Sequence, residues 1–194
     1  MPVKYLKETP SQTAGPYVHI GTVPRVAGLE TRTQEKLNVS GLGVGEPIVI
    51  EGVIHDGGNQ LVRDAVLEIW QADGKGHFDT TGHKGWARAH CDLKTGEYRF
   101  ETVKPGKVAW HDGRMQAPHI TLMIFARGMN IQLQTRIYFD DEAQANATCP
   151  VLTRVPAGQM RDSLIARRQG EGTPLTYRFE VRCQGPEETA FFDI

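Results

Sequence analysis

The seven histidines are the side chains in this sequence best suited to metal or acid–base chemistry. One of them, His119 in Ala117-Pro118-His119-Ile120-Thr121, opens a nearly continuous apolar run. Strand alternation would point residues 119 and 121 to one face, and the second of these is a threonine. A lone imidazole does not hold a metal ion, so His119 reads as a hydrogen-bonded core residue. His77, His83, His90 and His111 fall in stretches read as loops, at spacings that match no ligand pattern, and read as solvated. The acidic run Asp140-Asp141-Glu142 is explained by carboxylates opening a short helix. Arg127, followed by Gly128, is on its residues alone an exposed cation beside a turn. Thr9-Pro10-Ser11-Gln12-Thr13-Ala14-Gly15-Pro16-Tyr17 reads as a capped turn, with Ser/Thr hydroxyls bonding locally and Gly-Pro fixing an extended bend.

The elements that must position these residues are mostly strands. Residues 1–46 are rich in Gly, Pro and Thr and lack periodicity, so they are expected to form an N-terminal arm; residues 47–194 are expected to form one domain. Ile48–Ile54 is β-branched and ends at the turn Asp56-Gly57-Gly58-Asn59; Ala65–Trp70 follows at hairpin distance. Glu97–Val103 and Gln132–Phe139 alternate polar and apolar residues, as half-buried strands do, and Thr176–Cys183 repeats the pattern. His119–Ala126 is nearly all apolar, which predicts a strand buried on both faces. Asp140–Asn146 is expected to be a short helix and Met160–Arg168 a second. Short strands, Gly/Pro turns and brief helices together predict a mainly β protein, a two-sheet β-sandwich with long loops.

Composition narrows the function. With 194 residues, 39% of them hydrophobic, the chain supports one well-buried domain. A formal net charge of −1 supplies no field for steering nucleic acid or an anionic membrane surface. No apolar run approaches the ~20 residues that span a bilayer, and Met1–Glu8 lacks the apolar core of a signal peptide. Cys91, Cys149 and Cys183 form no C-x-x-C pattern and read as structural thiols of a reducing compartment. A cytoplasmic protein is expected.

The stretch Glu51-Gly52-Val53…Leu67-Glu68-Ile69-Trp70-Gln71-Ala72-Asp73…Gly76-His77-Phe78 resembles the signature of the intradiol ring-cleaving dioxygenases, which open catechols with a non-haem ferric ion. The resemblance covers most of residues 8–194 and implies an immunoglobulin- or prealbumin-like core. It also implies four metal ligands, two tyrosinates and two histidines, and this chain departs from that set. Phe78 stands at the first tyrosine, Val108 follows Lys104-Pro105-Gly106 at the second, and His119 and Thr121 stand at the histidine pair. Metal binding by this chain alone is therefore not expected. The arm resembles that of two-chain members of the family, as does Tyr138–Asn146. That resemblance implies a hetero-oligomer of αβ units in which a partner β chain holds Fe(III). It further implies that Thr13, Gly15, Pro16, Tyr17 and Arg127 of this chain help line the partner's pocket for a carboxylate-bearing catechol that reacts with O2.

Two other functions compete. A non-catalytic β-sandwich binding module would fold and bind without an iron-bearing partner. A self-sufficient dioxygenase with rebuilt ligands would carry a ferric-tyrosinate colour when purified alone.

Overall fold

A computed structural model of the chain describes residues 12–15, 17–30, 39, 44–78 and 84–193. Among the described residues, eight strands form one hydrogen-bonded path, a ninth branches from it, and a two-stranded ribbon stands apart. In chain order the strands are β1 (Pro47–His55), β2 (Val66–Gln71), β3 (Trp86–His90), β4 (Glu97–Val103), β5 (Val108–Ala109) and β6 (Met115–Gln116). They continue with β7 (His119–Phe125), β8 (Leu133–Phe139), β9 (Ile165–Gln169), β10 (Leu175–Arg178) and β11 (Val181–Arg182). Helices α1 (Tyr17–Thr22), α2 (Ala143–Thr148) and α3 (Gln159–Asp162) are short.

The path folds into two layers. β3, β2, β7 and β8 make an antiparallel layer. The other layer centres on β1, which pairs antiparallel with β4 and parallel with β10 and β11. The strand β9 joins them: Ile165 and Ala166 pair with β8, while Arg167 to Gln169 pair with β10. A strand that switches sheets closes one corner of the sandwich. Ile48, Ile50, Tyr98 and Phe100 from one layer meet Leu67, Leu122, Ile124 and Ile137 from the other in one buried cluster. Each such side chain contributes roughly 1.5–3 kcal/mol on burial, which outweighs any surface ion pair. Gly52 is needed where β1 runs against the link between β10 and β11, because a Cβ there would lie 1.9 Å from the Phe179 carbonyl oxygen. That carbonyl also accepts the Tyr98 hydroxyl at 2.6 Å.

The expected strands at β1, β4, β7 and β8 are present, and the acidic run opens a 3-10 turn, Asp140–Glu142, ahead of α2. Other expectations need correcting. β1 and β2 form no hairpin: the chain returns only as far as an isolated Leu61 bridge to His55, then crosses the core to the opposite layer. The expected helix at 160–168 is helical only through Asp162, because β8 and β10 claim the rest as a strand. Thr176–Cys183 is interrupted into β10 and β11 at Phe179–Glu180. β7 is buried fully on one face and half-buried at Thr121, Met123 and Phe125 on the other. The unperiodic arm carries α1, whose Thr22 carbonyl accepts Arg88 Nη1 at 3.0 Å from β3. Described residues 12–30 lie against this chain's own strands at the point where Ala14 bridges Arg127.

Candidate functional site

The four positions where the intradiol signature carries ligands converge on one half-buried face at the start of β7. His119 is paired with Tyr138 of β8, and Thr121 with Arg136 of β8 on one side and Trp70 of β2 on the other. Phe78 stacks on Trp70, with centroids 5.9 Å apart and planes 7° from parallel. The loop bearing Phe78 is held by Asp73, whose Oδ1 accepts the backbone N–H groups of Lys75 and His77 at 2.9 Å each. Gly76, at φ 83°, presses against β5: a Cβ would sit 1.9 Å from the Lys107 carbonyl oxygen. This contact sets the Phe78 loop beside Val108, which pairs with Gln116 of β6.

Arg136 is the residue that sequence reasoning missed. Its Nη1 donates to Gln116 Oε1 at 2.8 Å, and its guanidinium lies 5.6 Å from the Phe192 ring. On a strand that alternates, an arginine reads as solvent-facing; only the register opposite Thr121 reveals where it lies. Ferric iron requires hard anionic oxygen donors beside imidazoles. Phe78 offers a phenyl ring, Val108 an isopropyl group and Thr121 a neutral hydroxyl, and Arg136 adds a positive charge across the strand. The residues present do not fit a ferric ion.

His119 is built in as a structural group. It is 7% exposed, and its Nδ1 lies 2.8 Å from the Ala117 carbonyl oxygen. A carbonyl only accepts, so Nδ1 carries the proton. Burial, and then the nearby Arg136 cation, push its pKa down to about 4 despite the bond to Ala117. The Tyr138 ring lies tilted at 5.7 Å from it, and burial holds that phenol well above its ordinary range.

Of the other histidines, His77 and His111 are exposed as expected, and His83 lies outside the described residues. His90 corrects the loop reading: it belongs to β3, and its Nδ1 is 2.8 Å from the Cys91 carbonyl oxygen. The three cysteines are unpaired, and burial pushes Cys91 up to about 12 and Cys183 up to about 11.

The arm residues and Arg127 meet at the opposite end of β7. Ala14 N donates to the Met129 carbonyl at 3.0 Å, and Gly128 N donates to Thr13 Oγ1 at 2.8 Å. Gly15 follows, Pro16 lies outside the described residues, and Tyr17 opens α1 at 78% exposure. Arg127 is 62% exposed in its side chain, and its Nε donates to Asp64 Oδ2 at 2.5 Å. Eight residues at roughly 3.3 Å each put Arg127 about 25 Å from His119. The arm cluster and the degenerate ligand face are therefore two separate places on one chain.

The fold is a two-layer β protein whose half-buried face at the start of β7 gathers Phe78, Thr121 and Arg136 beside Trp70. A family model described as Dioxygenase matches residues 22–185. The chain is 48% identical, over the full length of both, to the protocatechuate 3,4-dioxygenase alpha chain of Pseudomonas putida. It is 31% identical to the protocatechuate 3,4-dioxygenase beta chain of Burkholderia cepacia, covering 77% of this chain and 69% of that one. Among solved structures, the dioxygenase domain of a carbohydrate-binding fusion protein from Streptomyces sp. SirexAA-E superposes with a TM-score of 0.63. That likeness covers 95% of this chain and all of the other at 20% identity, and so bears on the fold alone. This chain belongs to the intradiol dioxygenase family.

Proposed function

We propose that this chain is the α subunit of a protocatechuate 3,4-dioxygenase. The assembled enzyme opens protocatechuate between its two hydroxyl carbons, adding both atoms of O2 to give 3-carboxy-cis,cis-muconate. The observation that carries this reading is the face of Phe78, Val108, Thr121 and Arg136: a family scaffold that keeps the ligand positions but not the ligands. The ferric ion belongs to a partner β chain and supplies the activation of the catechol there. This chain supplies wall and recognition. Thr13, Gly15, Tyr17 and Arg127, together with Pro16 outside the described residues, are the proposed contribution to the partner's pocket, which accounts for Arg127 lying about 25 Å from this chain's His119. Arg127 gives its Nε to Asp64, so its two Nη groups are left for the substrate carboxylate.

Steady-state kinetics of an Arg127→Ala variant in the reconstituted αβ complex tests this. A charge-assisted hydrogen bond in a partly dry site is worth roughly 1.5–3 kcal/mol, so KM for protocatechuate should rise by about one to two orders of magnitude. Catechol, which lacks the carboxylate, should change much less, and the ferric colour should stay. An unchanged KM for protocatechuate would leave Arg127 as a surface cation paired to Asp64.

A further inference from the structure

A cleft remote from the arm cluster brings together two cations that no carboxylate of the described residues pairs with. It has a volume of about 790 Å³, within the size range of ligand sites, and adjoins the degenerate ligand face through Trp110 and Arg136. Two guanidiniums enter it. Arg136 lies over Phe192 and bonds Gln116; Arg154 lies 5.9 Å from the Trp110 ring centroid. Among the described residues neither is ion-paired, although the exposed Glu188 and Asp193 also line the cleft. The Trp110 indole N–H is buried and without a hydrogen-bond partner among the described residues. Buried donors without acceptors are uncommon, and each one is a standing invitation to an acceptor from outside.

The walls are fixed in place. On one side Arg161 Nη2 donates to the carbonyls of Thr153 and Val155, at 3.2 and 2.7 Å, and holds the segment that carries Arg154. On the other, Phe192 N donates to the Gln134 carbonyl and Thr135 Oγ1 to the Ala190 carbonyl, both at 2.8 Å, and so tie the C-terminal segment to β8. Between them Val151, Val155 and Phe192 give an apolar lining that suits one flat ring.

We propose that this cleft is a second small-molecule site, for an aromatic monocarboxylate of benzoate size. The ring lies between Val155 and Phe192, and the carboxylate accepts from Arg136 and Arg154. Planar guanidiniums match a carboxylate's two oxygens, and their aromatic neighbours hold them at a fixed angle. The site needs no metal, and its cations are not those of the pocket assigned to Arg127.

Isothermal titration of sodium benzoate into the full-length protein in its native assembly tests the proposal. An Arg127→Ala background removes the cation of the shared pocket, so that the outcome does not depend on the reading of that pocket. One benzoate should bind per chain of this type, and neutral benzamide should bind at least tenfold more weakly. Arg154→Gln should weaken benzoate at least tenfold; that side chain is exposed and, among the described residues, makes no side-chain hydrogen bond. Arg136→Gln should do the same, and if that variant fails to fold, Arg154→Gln decides alone. Absence of binding at millimolar benzoate, equal binding of benzamide, or unchanged affinity in Arg154→Gln would each overturn the assignment.

Discussion

At position 119 a buried histidine opens β7, and its surroundings disfavour the charged ring. Burial, then Arg136, hold its folded pKa at about 4, against an ordinary value of 6.5. Between those values the unfolded chain binds a proton that the folded chain does not, so stability is complete above about 6.5 and falls as pH drops toward 4. The loss from this one group between pH 7 and pH 5 should be about 2 kcal/mol. His119→Asn keeps a donor for the Ala117 carbonyl but does not titrate, and urea melts at the two pH values should show that part of the dependence gone. Arg136 carries a second expectation. Restoring donors with Phe78→Tyr, Val108→Tyr and Thr121→His should still give no tightly held iron, because the guanidinium opposite residue 121 repels a trivalent cation by several kcal/mol even at an effective dielectric near 20. Adding Arg136→Gln should allow binding, read by metal analysis and a ferric-tyrosinate absorption. Iron held by the triple variant alone would show that charge at Arg136 is not what excludes it. The residue types at 78, 108 and 121 were legible in the sequence, and none of them is a strong anionic donor. The cation was not, because a strand's register is set by partners distant in sequence.

Between elements, the clearest lock joins the turn after β4 to the helical segment after β8. Lys104, 14% exposed in its side chain, reaches Asp141 at 2.8 Å and Glu142 at 3.1 Å, and lies over the Phe139 and Tyr177 rings. The Tyr177 hydroxyl donates to the same Asp141 oxygen at 2.7 Å. Burial alone would lower the lysine's pKa; its bonds to Asp141 and Glu142 outweigh that and hold it above the usual range. Lys104→Met should cost about 1–3 kcal/mol in urea unfolding, since both carboxylates keep some access to water. Asp141→Asn should cost less, because an amide oxygen still accepts from Tyr177 and Lys104 keeps Glu142. The elements differ in how plainly they could be read. Tyr98 and Phe100 gave β4 large inward residues on a strict alternation, and its ends at Glu97 and Val103 match. β3 went unread because its inward residues are Ala87 and Ala89, small side chains with weak strand preference. β9 looked helical because Leu164 and Ile165 follow Met160 at helical spacing. The pairing that makes it a strand comes from Tyr138 and Phe139, more than twenty residues earlier, and local periodicity does not register that contact.

For the whole molecule, the question is what covers the arm. In the described chain Tyr17, Ile20 and Leu29 are exposed at 78%, 42% and 48%, three large apolar side chains within thirteen residues of α1 and its continuation. The core beneath them is complete: Val23 is fully buried, and Arg88 already ties the end of α1 to β3. Exposed apolar groups on a well-anchored segment add nothing to the chain's own stability, yet each contributes roughly 1.5–3 kcal/mol if a second protein removes it from water. In the proposed αβ heteromer the partner would cover these side chains, and Arg127 would reach the partner's pocket at the same time. Ile20→Ser and Leu29→Ser should therefore leave the urea midpoint of the isolated chain within about 0.5 kcal/mol of its original stability. In the assembly each should weaken association with the β chain by about tenfold or more, as measured by sedimentation of the mixed subunits. Protein with a weakened interface should also lose ring-cleaving activity on dilution sooner than the wild type, because the pocket is completed only when the arm is seated. If both variants assemble with wild-type affinity, the arm lies away from the partner, and the assignment of Thr13 to Tyr17 to a shared pocket fails with it.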